Sequence, residues 1–343
     1  MERHPGGESL CPQQSDYPAN LFDNHGRRIT YLRLSITDRC NLRCRYCRPE
    51  QGVPFIPHQE ILSFEELERL VSIFCSMGVS KIRVTGGEPF SRRGCMQFLE
   101  RLRQMKGLER LHITTNGVKT LQFLDGLAAI GIDGINLSID TLDPKRFRTI
   151  SRRDYLDFVL ETLDGIIKRG IPLKINSVVL DDTTDAEITS LAALAEKLPV
   201  TLRFIELMPF SGTQCTTAPA KGDLVRRLQR LFPRMVECAT DQPTTARIFT
   251  MPGYTGSLGV IQGYSRLFCT TCNKLRITPV GMLKTCLYDN GALDLKKLLR
   301  GSAGDQEIRD AVINCVRHRF VNGHEAERSS CRTAEPSMAK IGG

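Results

Sequence analysis

Ser35-Ile-Thr-Asp-Arg-Cys40-Asn-Leu-Arg-Cys44-Arg-Tyr-Cys47-Arg-Pro-Glu50 carries three cysteines at spacing C-x3-C-x2-C. The stretch follows a β-branched, alternating run, Ile29 to Ile36, that reads as a strand. Thiolates are the usual ligands of iron–sulfur clusters. A loop this short can turn its three sulfurs onto one face of a four-iron cubane, which leaves one iron open to a small-molecule ligand. Zinc sites with closely spaced cysteines pair them with a fourth ligand nearby, and no further cysteine follows before Cys75. Disulfides are disfavoured because no secretory signal precedes the stretch. The cluster reading therefore outweighs zinc and structural thiols.

Outward from this loop the chain alternates strand and helix. Ser63-Phe-Glu-Glu66 is a capping box that opens a helix to about Met77, closed by Gly78. Strands follow at Lys81 to Thr85, Leu111 to Thr114, Gly134 to Ile139, Pro172 to Leu180 and Thr201 to Leu207. Helices are expected near Cys95 to Met105, Leu121 to Ile130 and Tyr155 to Lys168, and from the Thr184-Asp-Ala-Glu187 capping box to Lys197. Six strands, each followed by a helix, imply an α/β fold with a parallel sheet and outer helices. Six units fall short of a closed eight-fold barrel. The expectation is a partial (β/α)6 barrel over residues 21–210, behind a mobile Pro/Gly-rich segment at 1–20. An extension at 211–330 would cover the open side, and a tail at 331–343 ends in Gly342-Gly343.

Composition narrows the function. The chain has 343 residues, 41% hydrophobic and 25% charged, as an ordinary globular protein does. No apolar run approaches the ~20 residues of a membrane helix. The opening residues lack the apolar core of a signal peptide, so a cytoplasmic address is expected. Thirteen cysteines in such a setting point to metal or redox chemistry. The net charge of +9 suits a polyanionic ligand, a nucleic acid or a nucleoside triphosphate. With no tryptophan, 6% aromatics and no basic stripe interleaved with rings, a base-stacking nucleic-acid platform is poorly supported.

A second constellation, Cys269-Thr-Thr-Cys272 and Cys286, has spacing C-x2-C-x13-C. A zinc ribbon would need another cysteine pair. Cys315 is a candidate fourth ligand but has the apolar helical spacing of a core residue. Three ligands again favour a cluster with one free iron over zinc. Cationic residues Arg33, Lys81, Arg83, Lys174 and Arg203 lie on or beside the strands, and Arg33, Lys81, Arg83 and Arg203 alternate with apolar neighbours, so their side chains can point into the barrel. A charge there is costly unless paired, which is a physical reason to expect either carboxylate partners or an anionic ligand.

The C-x3-C-x2-C loop resembles that of the radical S-adenosylmethionine (SAM) enzymes. Together with Thr85-Gly-Gly-Glu-Pro89, Thr114-Thr-Asn-Gly117, Asn136-Leu-Ser-Ile-Asp140, Arg203-Phe-Ile-Glu-Leu-Met208, the second cysteine set and the terminal diglycine, it resembles the GTP 3′,8-cyclase family from Leu21 onward. That resemblance implies a lyase carrying two [4Fe-4S] clusters, one on Cys40, Cys44 and Cys47 and one on Cys269, Cys272 and Cys286. SAM on the first cluster yields a 5′-deoxyadenosyl radical that takes the C3′ hydrogen of GTP. Attack of C3′ on C8 and one-electron reduction and protonation of the resulting aminyl-type radical then give 3′,8-cyclo-7,8-dihydro-GTP, the first intermediate of molybdenum cofactor biosynthesis. It further implies Tyr46, Gly87, Ser138 and Met208 around SAM, with Glu88 suited to its ammonium. Arg33, Arg83, Thr114, Lys174 and the run Lys274-Leu275-Arg276 are implied on GTP, with guanine on the second cluster. Gly342 and Gly343 are implied to insert toward the active site and to be needed for activity. An unidentified electron donor and a homodimeric assembly complete the implied partners, with neither membrane nor nucleic acid among them. Two positions depart from the family pattern: Lys274, where arginine is typical, and Arg48, where methionine is common. The competing expectations are another radical SAM enzyme with an auxiliary cluster, such as a peptide maturase, and a zinc-stabilised nucleic-acid-binding protein.

Overall fold

The computed structural model describes residues 20–208, 223–239, 244–264, 266–329 and 338–342. The segment at 1–19, most of the tail and Gly343 lie outside the described residues.

Strands β1 (Tyr31–Ser35), β2 (Lys81–Thr85), β3 (Arg110–Thr115), β4 (Gly134–Ser138), β5 (Leu173–Val179) and β6 (Thr201–Glu206) pair in chain order, all parallel. The connecting helices start where the sequence says they should. Ser63 Oγ accepts from the Glu66 amide at 3.2 Å, and a Glu66 carboxylate oxygen accepts from the Ser63 amide at 2.7 Å. This fixes the start of helix Phe64–Ser76. Gly78 takes the left-handed conformation that ends it, φ +91°. Thr184 and Glu187 repeat the arrangement at helix Asp185–Lys197. One helix, Pro144–Ser151, was not expected; its cap Asp143 accepts from the Arg146 amide at 2.6 Å. Another, Gly323–Ser329, lies near the end of the extension and was not expected either. The helix expected at Leu121 to Ile130 is a 3-10 turn, Leu121–Phe123, followed by a short helix, Leu124–Ala129.

The extension does more than cover an open side. It adds β7 (Val236–Cys238), β8 (Arg247–Thr250), β9 (Ser257–Ile261), β10 (Lys274–Ile277), β11 (Met282–Lys284) and β12 (Leu293–Asp294). The twelve strands form one sheet in the order β12-β11-β10-β1-β2-β3-β4-β5-β6-β9-β8-β7. β10 joins β1 and β9 joins β6, both parallel, so eight parallel strands run unbroken from β10 to β9. The expected six-stranded core would have left β1 and β6 as unpaired edges; β9 and β10 satisfy them. The remaining strands are antiparallel additions at the two ends.

Alternation then divides the sheet by chemistry. Leu32, Leu34, Ile82, Val84, Ile113, Ile135, Ile175, Leu202 and Leu275 are fully buried in the main core. Their neighbours Tyr31, Arg33, Arg83, Thr114, Asn136, Lys174 and Arg203 point the other way, into the concave interior. No helix among the described residues is long and apolar enough to cross a membrane.

Candidate active site

The concave interior holds a cavity of about 630 Å³. All six cysteines of the two sets line it, as do Tyr46, Gly87, Ser138, Met208, Arg33, Arg83, Thr114, Lys174, Lys274 and Arg276. Leu275 does not. Strand alternation turns its side chain away from the cavity into the core, where it is fully buried, which leaves the place expected of it on the substrate to its main chain. Gly342 lies at the ends of β1 and β2, where a Cβ would collide with Ser35 and come close to Thr85 Oγ1. Gly343 is outside the described residues.

The first cysteine loop springs from the end of β1. Cys44 carbonyl accepts from the Cys47 and Arg48 amides, each at 2.9 Å, a tight turn that brings the two sulfurs to the same side. Gly86 and Gly87 press the end of β2 against the loop backbone. The Gly87 amide donates to the Thr37 carbonyl at 2.7 Å, and a methyl group at Gly87 would run into Arg39. The two glycines therefore serve close packing of two chain segments as well as an open cavity wall.

Glu88 departs from expectation. Fully buried, it does not line the cavity. It accepts from the Asn116 amide at 2.7 Å, from Thr115 Oγ1 at 2.8 Å and from the Phe90 amide at 3.2 Å. Burial raises its carboxyl to about 7, against those hydrogen bonds. It ties the turn after β2 to the end of β3 and is not available to a ligand. The carboxylates that do line the cavity are Asp140 and Glu206. Asp140 accepts from the Tyr46 hydroxyl at 2.9 Å and from the Val178 amide at 2.8 Å, which fixes the Tyr46 ring.

Burial pushes Cys40 up to about 12 and Cys47 up to about 11, and Cys44 also upward. Asp140 adds to the effect at Cys44 and Glu88 at Cys40. Deprotonating these thiols takes positive charge that the surrounding side chains do not supply, which is what a metal centre provides. The charge of Arg48 lowers Cys40 and Cys47 without overcoming burial, and its guanidinium packs over the Phe55 ring at 4.9 Å and donates to the Asp38 carbonyl. His58, the nearest histidine in sequence, is exposed and does not line the cavity. Among the described residues no three His, Cys, Asp or Glu side chains converge on a single ion. Cluster thiolates ligate different irons and stand farther apart.

The second set sits toward the other end of β1. Asn273, next to Cys272, accepts with its carbonyl from the Thr30 and Tyr31 amides, both at 3.2 Å. The length of β1, roughly 15 Å at about 3.3 Å per residue, thus separates Cys272 from the first loop. Asp289 shapes the turn at Cys286, accepting from the Thr285 and Cys286 amides, each at 2.8 Å. Cys272 differs from the other five thiols. Burial raises it, but Arg319 and Lys274 outweigh burial and leave it below its ordinary value. Cys315 lies outside the cavity, against the core, and burial pushes it up to about 11.

Between the two sets stands a block of cations in register. Arg276, Arg33 and Arg83 are neighbours across β10, β1 and β2, and Lys274, Tyr31 and Lys81 form the next row. The strongest charges acting on Lys81, Lys174, Arg203, Lys274 and Arg276 come from other cations, Arg83 foremost, from tyrosines and from cysteines, and none is a carboxylate. Of the two accounts open to the sequence, carboxylate partners are therefore the one the structure lacks at these five positions. Burial, then like charge, lowers Lys81 to about 8; burial and Arg83 lower Arg203 to about 9. Thr114 Oγ1, Asn176 Oδ1 and Arg203 Nε are buried with no hydrogen-bond partner among the described residues. Each such atom costs about 1–3 kcal/mol. The cavity is thus built for a polyanion with many acceptors.

Sequence reasoning missed Tyr31. Its hydroxyl accepts from Arg83 Nε at 2.6 Å, while Lys81 and Lys274 lie 5.0 and 5.6 Å from its ring centre. Burial raises its phenol, but Arg83, Arg33 and Lys81 overcome this and bring it down to about 7. From pH 7 to 8 the ligand-free protein should gain stability as pH rises; nearer 9 the raised thiols of Cys40, Cys47 and Cys286 act the other way, because unfolded they would give up their protons first. Unfolded, Tyr31 holds its proton to 10.0 and Lys81 to 10.5; folded, they release it near 7 and 8. The unfolded chain therefore binds more protons in this window, and stability climbs by up to about 1.4 kcal/mol per pH unit for each group. A bound triphosphate supplies the missing negative charge and flattens the slope. Thermal melts at pH 7, 7.5 and 8 with and without a nucleoside triphosphate check this; a ligand-free midpoint that falls over the range would refute it.

Residues 34–195 match the family model described as Radical SAM superfamily, and residues 200–324 match that described as Molybdenum Cofactor Synthesis C. The chain is 39% identical over 335 residues to the GTP 3′,8-cyclase of Geobacter sulfurreducens, covering 94% of this chain and 99% of that one. It is 39% identical over 305 residues to molybdenum cofactor biosynthesis protein 1 of Bos taurus, covering 88% of this chain but 48% of the relative, so it spans about half that protein's length. In fold it is similar to the crystal structure of Streptococcus suis SuiB bound to S-adenosylmethionine, with a TM-score of 0.56 and 18% identity over 83% of this chain and 69% of that one. With two cysteine loops facing one cationic cavity inside an open parallel sheet, the chain belongs to the GTP 3′,8-cyclase family of radical SAM proteins.

Proposed function

We propose that this chain converts GTP to 3′,8-cyclo-7,8-dihydro-GTP, the step that opens molybdenum cofactor biosynthesis, in a cytoplasmic setting. The observation that carries the reading is the block of cations between two sets of three cysteines, in which Lys81, Lys174, Arg203, Lys274 and Arg276 have no carboxylate among the strongest charges acting on them. Cys40, Cys44 and Cys47 would hold one [4Fe-4S] cluster, and Cys269, Cys272 and Cys286 a second. When bound, the first cluster and SAM together supply the hydrogen-abstracting radical chemistry.

The protein's own part is positioning and exclusion of water. Arg33, Arg83, Arg203 and Arg276 offer guanidinium forks, and Lys81, Lys174 and Lys274 point charges, to the triphosphate. Lys274 keeps the charge of the usual arginine without its bidentate geometry. Thr114 and Asn176 supply hydrogen-bonding atoms that the protein itself leaves unused. Tyr46, held by Asp140, Gly87, Ser138 and Met208 surround SAM. Glu206, at the end of β6, takes the role toward the SAM ammonium that Glu88 cannot. Gly342 seats the tail over the ends of β1 and β2 and narrows access to the reacting atoms. A reducing partner supplies electrons. A peptide substrate, as in a maturase, would leave the cationic block unemployed.

Anaerobic reconstitution followed by iron and sulfide counting, then incubation with SAM, reductant and GTP, tests the reading. About eight irons, GTP-dependent SAM cleavage and a cyclised nucleotide are expected. SAM cleavage indifferent to GTP would move the substrate elsewhere, and zinc in place of iron would remove the radical chemistry altogether.

A further inference from the structure

Arg319, which also lines the cavity, takes no part in the reading above, yet it is closely engaged with the second cysteine set. Its side chain is 3% exposed. Nε donates to the Thr285 carbonyl at 2.9 Å, directly before Cys286. Nη1 donates to the Cys272 carbonyl at 2.8 Å and to Asp23 Oδ2 at 3.2 Å. Nη2 donates to the Lys274 carbonyl at 3.1 Å and to Cys272 Sγ at 3.1 Å. Asp23, buried, also binds Arg27 Nε at 2.6 Å, and Arg27 Nη1 donates to the Cys269 carbonyl at 2.8 Å. One carboxylate and two guanidinium groups thus hold all three cysteine positions from behind.

Holding the backbone needs no donor on sulfur. A neutral thiol is a weak acceptor, whereas a thiolate gains strongly from a charged N–H. Cys269 and Cys286 receive backbone N–H groups instead, from Gly323 and Tyr288. The charged donor is aimed at Cys272 alone of the three.

We propose that Arg319 sets the reduction potential of the second cluster through its hydrogen bond to the Cys272 sulfur. The proposal rests on the reading that Cys269, Cys272 and Cys286 hold an iron–sulfur cluster. A reduced cluster carries one more negative charge, spread partly over its thiolates. A fixed cation on one of those sulfurs stabilises the reduced form more than the oxidised form and raises the potential. Asp23 tempers the effect by placing a negative charge on the same guanidinium.

The test is a redox titration of the full-length, doubly loaded protein, followed by electron paramagnetic resonance with dithionite and mediators. Arg319→Gln should shift the second cluster's equilibrium about tenfold toward the oxidised form, about 59 mV for a one-electron couple. Arg319→Lys, which keeps charge near the sulfur, should shift it less. Asp23→Asn should shift it the opposite way, a sign that a purely structural role does not produce. The first cluster's potential should stay put in all three. Wild-type protein with only about four irons would overturn the two-cluster reading itself. Two clusters with an unmoved second potential in Arg319→Gln and Asp23→Asn would overturn the proposal alone. Should Arg319→Gln fail to load the second cluster, the Lys and Asn variants decide: opposite shifts uphold the proposal, and wild-type potentials in both end it.

Discussion

Exchange of Arg203 for methionine should raise the melting midpoint of the GTP-free protein and yet weaken GTP binding by about 10²–10³-fold. Arg203 sits on β6 with its stem packed over Gly259. Its Nε is buried without a hydrogen-bond partner among the described residues. Burial and then the charge of Arg83 lower its pKa to about 9, a sign that the folded, ligand-free chain disfavours this charge. Methionine keeps the apolar stem, fills the site and removes a donor whose desolvation costs about 1–3 kcal/mol. The same substitution takes one cation from the triphosphate. Opposite signs for stability and affinity mark a residue kept for its ligand. Anaerobic melts without GTP and a calorimetric titration with it make the comparison. A lowered midpoint would show that Arg203 is structural, and unchanged affinity would show that the triphosphate does not reach β6.

Gly342→Val should cut formation of the cyclised nucleotide by about 100-fold or more while leaving iron content at the wild-type level. Gly342 has φ +87°, a region that β-branched residues scarcely enter. A Cβ there would also collide with Ser35 at the end of β1 and crowd Thr85 at the end of β2. Neither strand end can yield, because each continues into the first cysteine loop or the Gly86-Gly87 turn that packs on it. The tail must therefore unseat, taking with it Ile341, which is buried with Tyr288 and Ala326 and packs near Met208. SAM cleavage uncoupled from cyclisation, measured beside product, separates a misplaced substrate from a damaged cluster. Product formed at the wild-type rate would mean that the tail can rest elsewhere without consequence.

What could be read from the sequence was local. Cys40, Cys44 and Cys47 are close enough in the chain for spacing to imply convergence, and the capping boxes at Ser63 and Thr184 act within one helical turn. The cap and proline that open helix Pro144–Ser151 were there to be read in Asp143-Pro144, but two buried apolar residues, Phe147 and Ile150, give too short a stripe to show as a period. What needed register stayed hidden. Tyr31 reads as an ordinary strand residue until β10 and β2 place Lys274 and Lys81 on either side of it. Leu275 belongs to the core because its neighbours Lys274 and Arg276 claim the other face. Glu88 looks like a ligand group in a glycine-rich turn, and only the approach of Thr115 and Asn116 shows where it points. Arg319 lay in the extension without a motif to mark it; its role depends on Asp23, almost three hundred residues earlier by chain position.

The pairing of β10 with β1 has a consequence for synthesis. Thr30 and Asn273, bonded at 2.9 Å beside this pairing, are 243 residues apart. A nascent chain leaves the ribosome from its N-terminal side, so β1 emerges early with one hydrogen-bonding edge open, and β6 joins it later with another. Both edges wait for β9 and β10, which lie beyond residue 256 and are translated long after them. The six-stranded half that sequence alone would mark as a unit is a partly finished sheet with adhesive borders, and until β9 and β10 arrive it needs shielding from its neighbours on the polysome.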